Sequence, residues 1–314
     1  MPFQNSFLSI ALNKKKLKCE KFLDEMNQVI PWDKLIEEIK KHYSENKIGR
    51  KKTDINLLLK IYFLQQWYNL SDPGAEETIY DRNSFQKFLN IDLLSDNVPD
   101  ETTILNFRHF LEENNLQEKF FAITNNLLEE KGLIMKEGTI TDATFIAAPK
   151  STKNQDRKRD QEMSSSKKGN NWYFGLKAHI GVDHKSGLIH TMETTTAKVH
   201  DKDKQLDLLH GEEKAIFGDK GYYDEKIKVI LRAEGKFCGV LDRGKRNHPL
   251  TKKQKRRNNK LSSVRAKVEY PFLVLKCLWH YTKVRYKGLL KNAKQLYALF
   301  SLVNLYIVRR KLLA

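Results

Sequence analysis

Cysteine is scarce in this chain of 314 residues: Cys19, Cys238 and Cys277 stand far apart, with no Cys-x2-Cys or Cys/His ligand set around them. That spacing argues against a disulfide framework and against structural zinc, and it fits a reducing compartment. Long apolar runs are missing as well. The longest uncharged apolar stretch near the C-terminus, Gln295 to Val308, is too short to span a bilayer and carries Asn304, so it reads as a buried core helix. Met1 to Ile10 lacks the charged-then-apolar layout of a signal peptide. Neither an acylation signal nor a basic amphipathic anchor is present, which removes the lipid-anchored classes and points to the cytoplasm, with no membrane partner.

Acid is the other shortage. Asp and Glu number 39 against 57 Lys and Arg, a net charge of +18. Such an excess says little about fold and much about partners, because a polyanion releases counterions when Lys and Arg neutralise its phosphates. Arg243 to Lys260 concentrates the imbalance. It holds Arg243, Lys245, Arg246, Lys252, Lys253, Lys255, Arg256, Arg257 and Lys260 and no acid, and reads as a basic loop facing nucleic acid.

The length allows a large core and two domains. Residues 1–135 read as helical. Leu57, Leu58, Ile61, Leu64 and Tyr68 recur at helical spacing, Asp72-Pro73 resembles an N-cap followed by proline at the first helical position, and Pro99-Asp100 marks another helix start. Short helices with tight connections suit a DNA reader and are also simply common. From residue 136 the period changes to strands. Thr139–Ile146 is predicted as a strand, and Trp172–Val182 with Leu188–Thr195 as a hairpin, with Trp172 and Tyr173 packing on the sheet in preference to stacking on a base. A short helix over Lys202–His210, a strand over 215–217, a helix over 224–233 and a strand over Phe237–Leu241 follow. Helices over Lys260–Trp279 and Leu289–Arg310 complete the plan, and Lys153–Asn171 reads as a polar, mobile loop.

Carboxylates fall at three points of that plan. Asp142 lies on the first strand, Asp219 just beyond the strand at 215–217, and Glu269 in the helix after the last strand. This order of elements is that of ribonuclease H-like nucleases and integrases: a mixed five-stranded sheet flanked by helices, here behind an all-α N-terminal domain. Magnesium takes hard oxygen ligands in octahedral geometry. Two such ions roughly 4 Å apart can activate a water or 3′-hydroxyl and stabilise the leaving oxygen. Each acid also has a bland reading: Asp142 as a turn cap, Asp219 in a turn before Lys220-Gly221, and Glu269 paired with Arg265. Arg265, Glu269 and Lys276 fall at about 0°, 40° and 20° around a helix, on one face. Gly239-x4-Gly244-Lys245 fails as a phosphate loop because Arg246 replaces the Ser/Thr that would hold magnesium. His179, His184 and His190 read as ordinary sheet residues.

The motifs together resemble an insertion-sequence transposase of the DDE class, in the branch related to insertion sequences four and five. They run nearly end to end: Leu64-Gln65-Gln66-Trp67-Tyr68, Pro99-Asp100-Glu101-Thr102-Thr103-Ile104 with Phe107-Arg108, Thr141-Asp142-Ala143-Thr144, Lys177-Ala178-His179-Ile180-Gly181, Val199-His200-Asp201, Gly218-Asp219-Lys220-Gly221-Tyr222, and Arg265-x3-Glu269-x6-Lys276. Ser262 stands where the family signature has a tyrosine. The resemblance implies Asp142, Asp219 and Glu269 as catalytic metal ligands for two Mg²⁺ ions, with Mn²⁺ as a substitute. It implies Lys220, Arg265 and Lys276 on DNA phosphates, with Arg108 and the basic loop as further DNA contacts and His200 and Asp201 in support. It further implies cleavage at terminal inverted repeats, joining to target DNA, a homodimer in the synaptic complex, and a bacterial, nucleoid-associated location. Competing classes are a non-catalytic DNA-binding derivative and a ribonuclease H-like DNA nuclease.

Overall fold

Of the ten residues from Leu58 to Trp67 all but Lys60 are buried, seven of them apolar or aromatic, and such a helix can only sit inside a bundle. The computed structural model describes residues 16–43, 53–153, 155, 157–244 and 248–314, with Lys168 through its backbone alone. Before the sheet it contains α1 (Lys18–Val29), α2 (Trp32–Lys40), α3 (Ile55–Tyr68), α4 (Asp72–Asp81), α5 (Asn83–Leu89), α6 (Glu101–Glu113) and α7 (Leu116–Glu130). Helix α3 is the centre of this layer. Phe63 packs against Trp32, Trp67 and Phe120 with ring centroids 5.6–6.3 Å apart, and α3 stops at Asn69, whose φ of 52° ends the helical hydrogen bonding. The predicted starts need one adjustment. Ser71, not Asp72, caps α4 by accepting from the Gly74 amide, which puts Pro73 in the first turn, while Asp100 caps α6 as expected through the Thr103 amide.

The period-two segment forms a six-stranded mixed sheet from β1 (Gly138–Ala147), β2 (Ser164–Lys168), β3 (Asn171–Asp183), β4 (Ile189–Thr196), β5 (Ala215–Gly218) and β6 (Phe237–Val240). Strands β4, β3 and β1 are antiparallel, and β5 and β6 continue beyond β1 in parallel. This is the ribonuclease H-like arrangement expected from the order of elements. Strand β2 is the addition: part of the polar segment predicted as a loop pairs with the start of β3, with Ser165 opposite Phe174 and Ser166 opposite Tyr173. Tyr173 stacks on Phe145 at 4.9 Å, whereas Trp172 is 62% exposed, so sheet packing holds for one of the two aromatics and not for the other. Gly175 is required where β1 and β2 converge on β3. Its φ is 152°, and a Cβ there would meet the Ile146 carbonyl at 2.1 Å.

The predicted short helix over Lys202–His210 is two 3-10 turns, Asp201–Lys204 and Leu206–Leu208, and α8 (Glu225–Ala233) follows β5. After β6 a continuous helical rod runs from α9 (Lys252–Arg265) through a 3-10 turn (Ala266–Val268) and α10 (Glu269–Leu273) to a π-turn (Val274–Leu278). The rod starts eight residues earlier than predicted. Thr251 and Gln254 form a reciprocal capping box, so half of the presumed basic loop is helix. Lys245 and Arg246 lie outside the described residues.

Helix α11 (Leu289–Leu312) closes the fold by packing on α7, α1 and β4. Asn304, fully buried, is paid for by bonds to the Ile189 backbone and to Asn125. One apolar cluster crosses the junction near residue 135, running from Leu23 and Phe63 through Ile140 and Ile180 to Leu275 and Leu305. No helix among the described residues is long and apolar enough to cross a membrane.

Candidate active site

Strand register brings the first two acids together. Thr141 pairs with Gly218 in the parallel β1–β5 ladder, so Asp142 on β1 and Asp219, just past the end of β5, each follow a paired residue at the same end of neighbouring strands. Gly218 leaves the room this needs, since a Cβ there would meet Thr141 Oγ1 at 3.1 Å and Tyr222 Cβ at 3.2 Å. Each acid uses one oxygen locally. Asp142 Oδ1 accepts from the Ala143 amide at 2.8 Å, and Asp219 Oδ1 accepts from the Lys220 amide at 2.7 Å as it caps the turn over 220–222.

The helical rod supplies the third. Arg265 donates from Nη1 to Asp142 Oδ2 at 3.4 Å and from Nη2 to Glu269 Oε1 at 2.9 Å, bridging strand and helix. Further along, Lys276 Nζ donates to the Phe145 carbonyl at 2.6 Å, and Lys267 Nζ reaches the carbonyls of His184 and Lys185. The rod is tightened by the 3-10 turn before Glu269 and widened by the π-turn after it. Even so, Arg265 and Lys276 both face β1.

The electrostatics record the crowding. Burial pushes the Asp142 carboxyl up to about 6; the Ala143 amide and Arg265 oppose this, and the charges of Glu269 and Asp219 add to it. Tyr222 is buried against the same group. Burial raises its phenol well above the usual value, as do Asp142, Asp201 and Asp219, and its hydroxyl has no hydrogen-bond partner among the described residues. As the side chains stand, no three His, Cys, Asp or Glu among the described residues are gathered closely enough to hold an ion. A guanidinium occupies the space between two of the acids. The donor set nonetheless fits a hard divalent cation: three carboxylates, one of them raised to about 6 chiefly by its burial and further by the charges of the other two.

Other predicted residues separate clearly. Lys220 is exposed beside Asp219, and Arg243, Lys252, Lys253 and Arg256 are exposed, the last three on the first turns of α9. Arg257 is a correction: it donates to the carbonyls of Val240 and Cys238 and to Asp242, pinning α9 to the end of β6. Arg108 is another. It is 6% exposed, paired with Asp72 and Glu112, and lies 4.5 Å from the Tyr286 ring, so it holds α4, α6 and the C-terminal region together instead of standing on the surface. Lys276 is engaged on a strand carbonyl instead of standing ready for phosphate. His200 is exposed, while Asp201 pairs with the buried Lys177 at 2.8 Å. His179, buried, and His190, half-buried, sit in hydroxyl networks with Thr195, Thr139 and Thr191, as ordinary sheet residues; desolvation lowers both imidazoles to about 4. Sequence reasoning missed Tyr222 and Lys177 as neighbours of the site. Only their places in the motifs Gly218–Tyr222 and Lys177–Gly181 signalled them.

Comparison with known proteins gives the same direction. Residues 134–305 match the profile described as "Transposase DDE domain", and residues 12–110 match "Transposase domain (DUF772)". Among solved structures, the chain is similar to the piggyBac transposase in a synaptic complex with hairpin DNA, at 11% identity and a TM-score of 0.43, covering 96% of this chain and 76% of that one. It is also similar to the Mos1 strand transfer complex, at 11% identity and a TM-score of 0.20, over 78% of this chain and 82% of that one. With more than half of its length matched by the first profile, the chain belongs to the DDE-domain transposases, DNA-transposing enzymes that work with divalent metal.

Proposed function

We propose that this transposase binds the terminal inverted repeats of an insertion sequence, cleaves there and joins the ends to target DNA, with Asp142, Asp219 and Glu269 as the metal-holding carboxylates. The observation that carries the reading is the bridge through Arg265 from Glu269 to Asp142, beside the register that sets Asp142 next to Asp219. Two Mg²⁺ ions, when bound, would activate the attacking water or 3′-hydroxyl and stabilise the leaving oxygen. The protein's own groups do the rest. Asp142 would serve as a ligand in its ionised form, which its value of about 6 leaves accessible at neutral pH. Arg265 turns from the carboxylates toward a DNA phosphate, with Lys220 beside it, and the exposed cations at the start of α9 hold the adjoining backbone. The N-terminal helical layer contributes to recognising the element's ends, and a homodimer pairs two ends in the synapse.

The test is supercoiled donor plasmid incubated with Mg²⁺ or Mn²⁺. Asp142→Ala, Asp219→Ala and Glu269→Ala should each abolish cleavage, and joined donor–target products distinguish a transposase from a nuclease that only nicks. Wild-type cleavage by all three variants would overturn the assignment.

A further inference from the structure

The strands that carry Asp142 lead to a second basic feature. Beyond Ala147, Pro149, Ser151, Lys153 and residues 158–162 on one side and residues 284–288 with Lys291 on the other enclose two adjoining hollows of about 450 and 680 Å³ that share Lys158, Arg159, Asp160 and Lys287. The two acids lining this cleft keep their charge while holding the start of α11, Asp160 accepting from the Gly288 amide and Glu162 from the Leu289 amide, both at 2.7 Å, and the six Lys and Arg among the described lining residues outnumber them. Two of its cations are fixed by neutral acceptors that leave their charge in place. Arg159 Nε donates to the Lys150 carbonyl at 2.9 Å while stacking on Phe174, and Arg285 donates to the carbonyl and side chain of Asn69. Lys153 and Lys291 are exposed on the cleft walls.

Trp172 is linked to this cleft through Lys150. Lys150 Nζ donates to the Trp172 carbonyl, and the Lys150 carbonyl in turn receives Arg159. The indole is 62% exposed, whereas Trp67 and Trp279 are buried at 3% and 4% and Trp32 is half-buried. A large exposed aromatic beside a positive cleft matches the chemistry of DNA, with phosphate for the cations and a sugar or base face for the ring.

We infer that the cleft lined by Lys153, Arg159 and Lys291, with Trp172 at its edge, is a second DNA-binding site that grips the duplex away from the reacting phosphate. Asp142 pairs with Ile180, and Trp172 lies eight residues before Ile180 on β3. At about 3.3 Å per residue the separation is about 26 Å, or seven to eight base pairs at about 3.4 Å each. The inference rests on the proposed DNA reading and adds a length requirement to it.

The experiment uses the full chain and duplexes of the inverted repeat flanking the gene, with either arm beyond the cleaved phosphate trimmed to about four, eight or twelve base pairs. Indole fluorescence should change only when one arm reaches about eight base pairs, and Trp172→Phe should remove that change. On the long duplex, Lys153→Gln combined with Lys291→Gln should lower the slope of log affinity against log salt by about two. On the duplex trimmed to about four base pairs the same variant should bind like the wild type. Equal binding by wild type and variants at every length, with plasmid cleavage intact, overturns the second site and leaves the transposase reading standing. An indole signal that follows protein concentration instead of DNA also overturns it, marking a face between copies of the chain. If no duplex binds at all, both readings fall.

Discussion

Replacing Asp142 with Asn should stabilise the metal-free protein, and the size of the effect follows from its surroundings. The side chain is 16% exposed, and its carboxyl sits at about 6 instead of the ordinary 3.8, because burial and the charges of Glu269 and Asp219 outweigh the help from Ala143 and Arg265. A folded-state value above the unfolded one means that ionisation opposes folding. The penalty is absent below about pH 4, grows between pH 4 and 6, and is complete above pH 6. The gap corresponds to about 2–3 kcal/mol, or about 4–6 °C in melting temperature at the lower sensitivity expected of a chain this long. Thermal melts of wild type and Asp142→Asn in chelator at pH 7.5 should therefore differ by that amount in favour of the variant, with the difference shrinking toward pH 4.5. Added Mg²⁺ should raise the wild type and leave the variant nearly unmoved, since binding to the native state stabilises by mass action. A variant that melts lower than wild type at pH 7.5, or by a margin that ignores pH, would refute the reasoning.

Arg108→Ala strands Asp72 and Glu112 in a largely buried setting and should cost about 3–5 kcal/mol in denaturant unfolding; a loss of DNA affinity without loss of stability would show it on the wrong side of the molecule. Gly175→Ala places a methyl group within 2.1 Å of the Ile146 carbonyl at a φ of 152°, and should lower stability by more than about 2 kcal/mol or prevent soluble expression. Lys252→Gln with Lys253→Gln, both exposed at the start of α9, should leave the melting temperature unchanged while reducing the salt slope of DNA binding by about two; an unchanged slope would remove α9 from the DNA track.

Local pattern and motif spacing already determined a good deal. Alternation over Thr139–Ile146, the run at 215–217 and the helical spacing around Leu58–Tyr68 specify element types because side-chain period follows backbone geometry. The ordered carboxylates at 142, 219 and 269 followed from the same plan. The capping box at Thr251 and Gln254 is legible in the sequence too, but the run of cations around it masks the helix start, because like charges favour a solvated loop.

Only the tertiary structure could decide what each charge and ring meets. Arg108 reads as a free cation until Asp72, 36 residues away on another helix, closes on it, and Arg257 until α9 lies against the end of β6. Trp172 has the spacing of a packed strand residue. It is exposed because β1 ends opposite Gly175, leaving the start of β3 without that neighbour. Period and propensity act over a turn or two of chain, whereas burial, pairing and the rise of the Asp142 carboxyl depend on segments that meet only once the fold has closed.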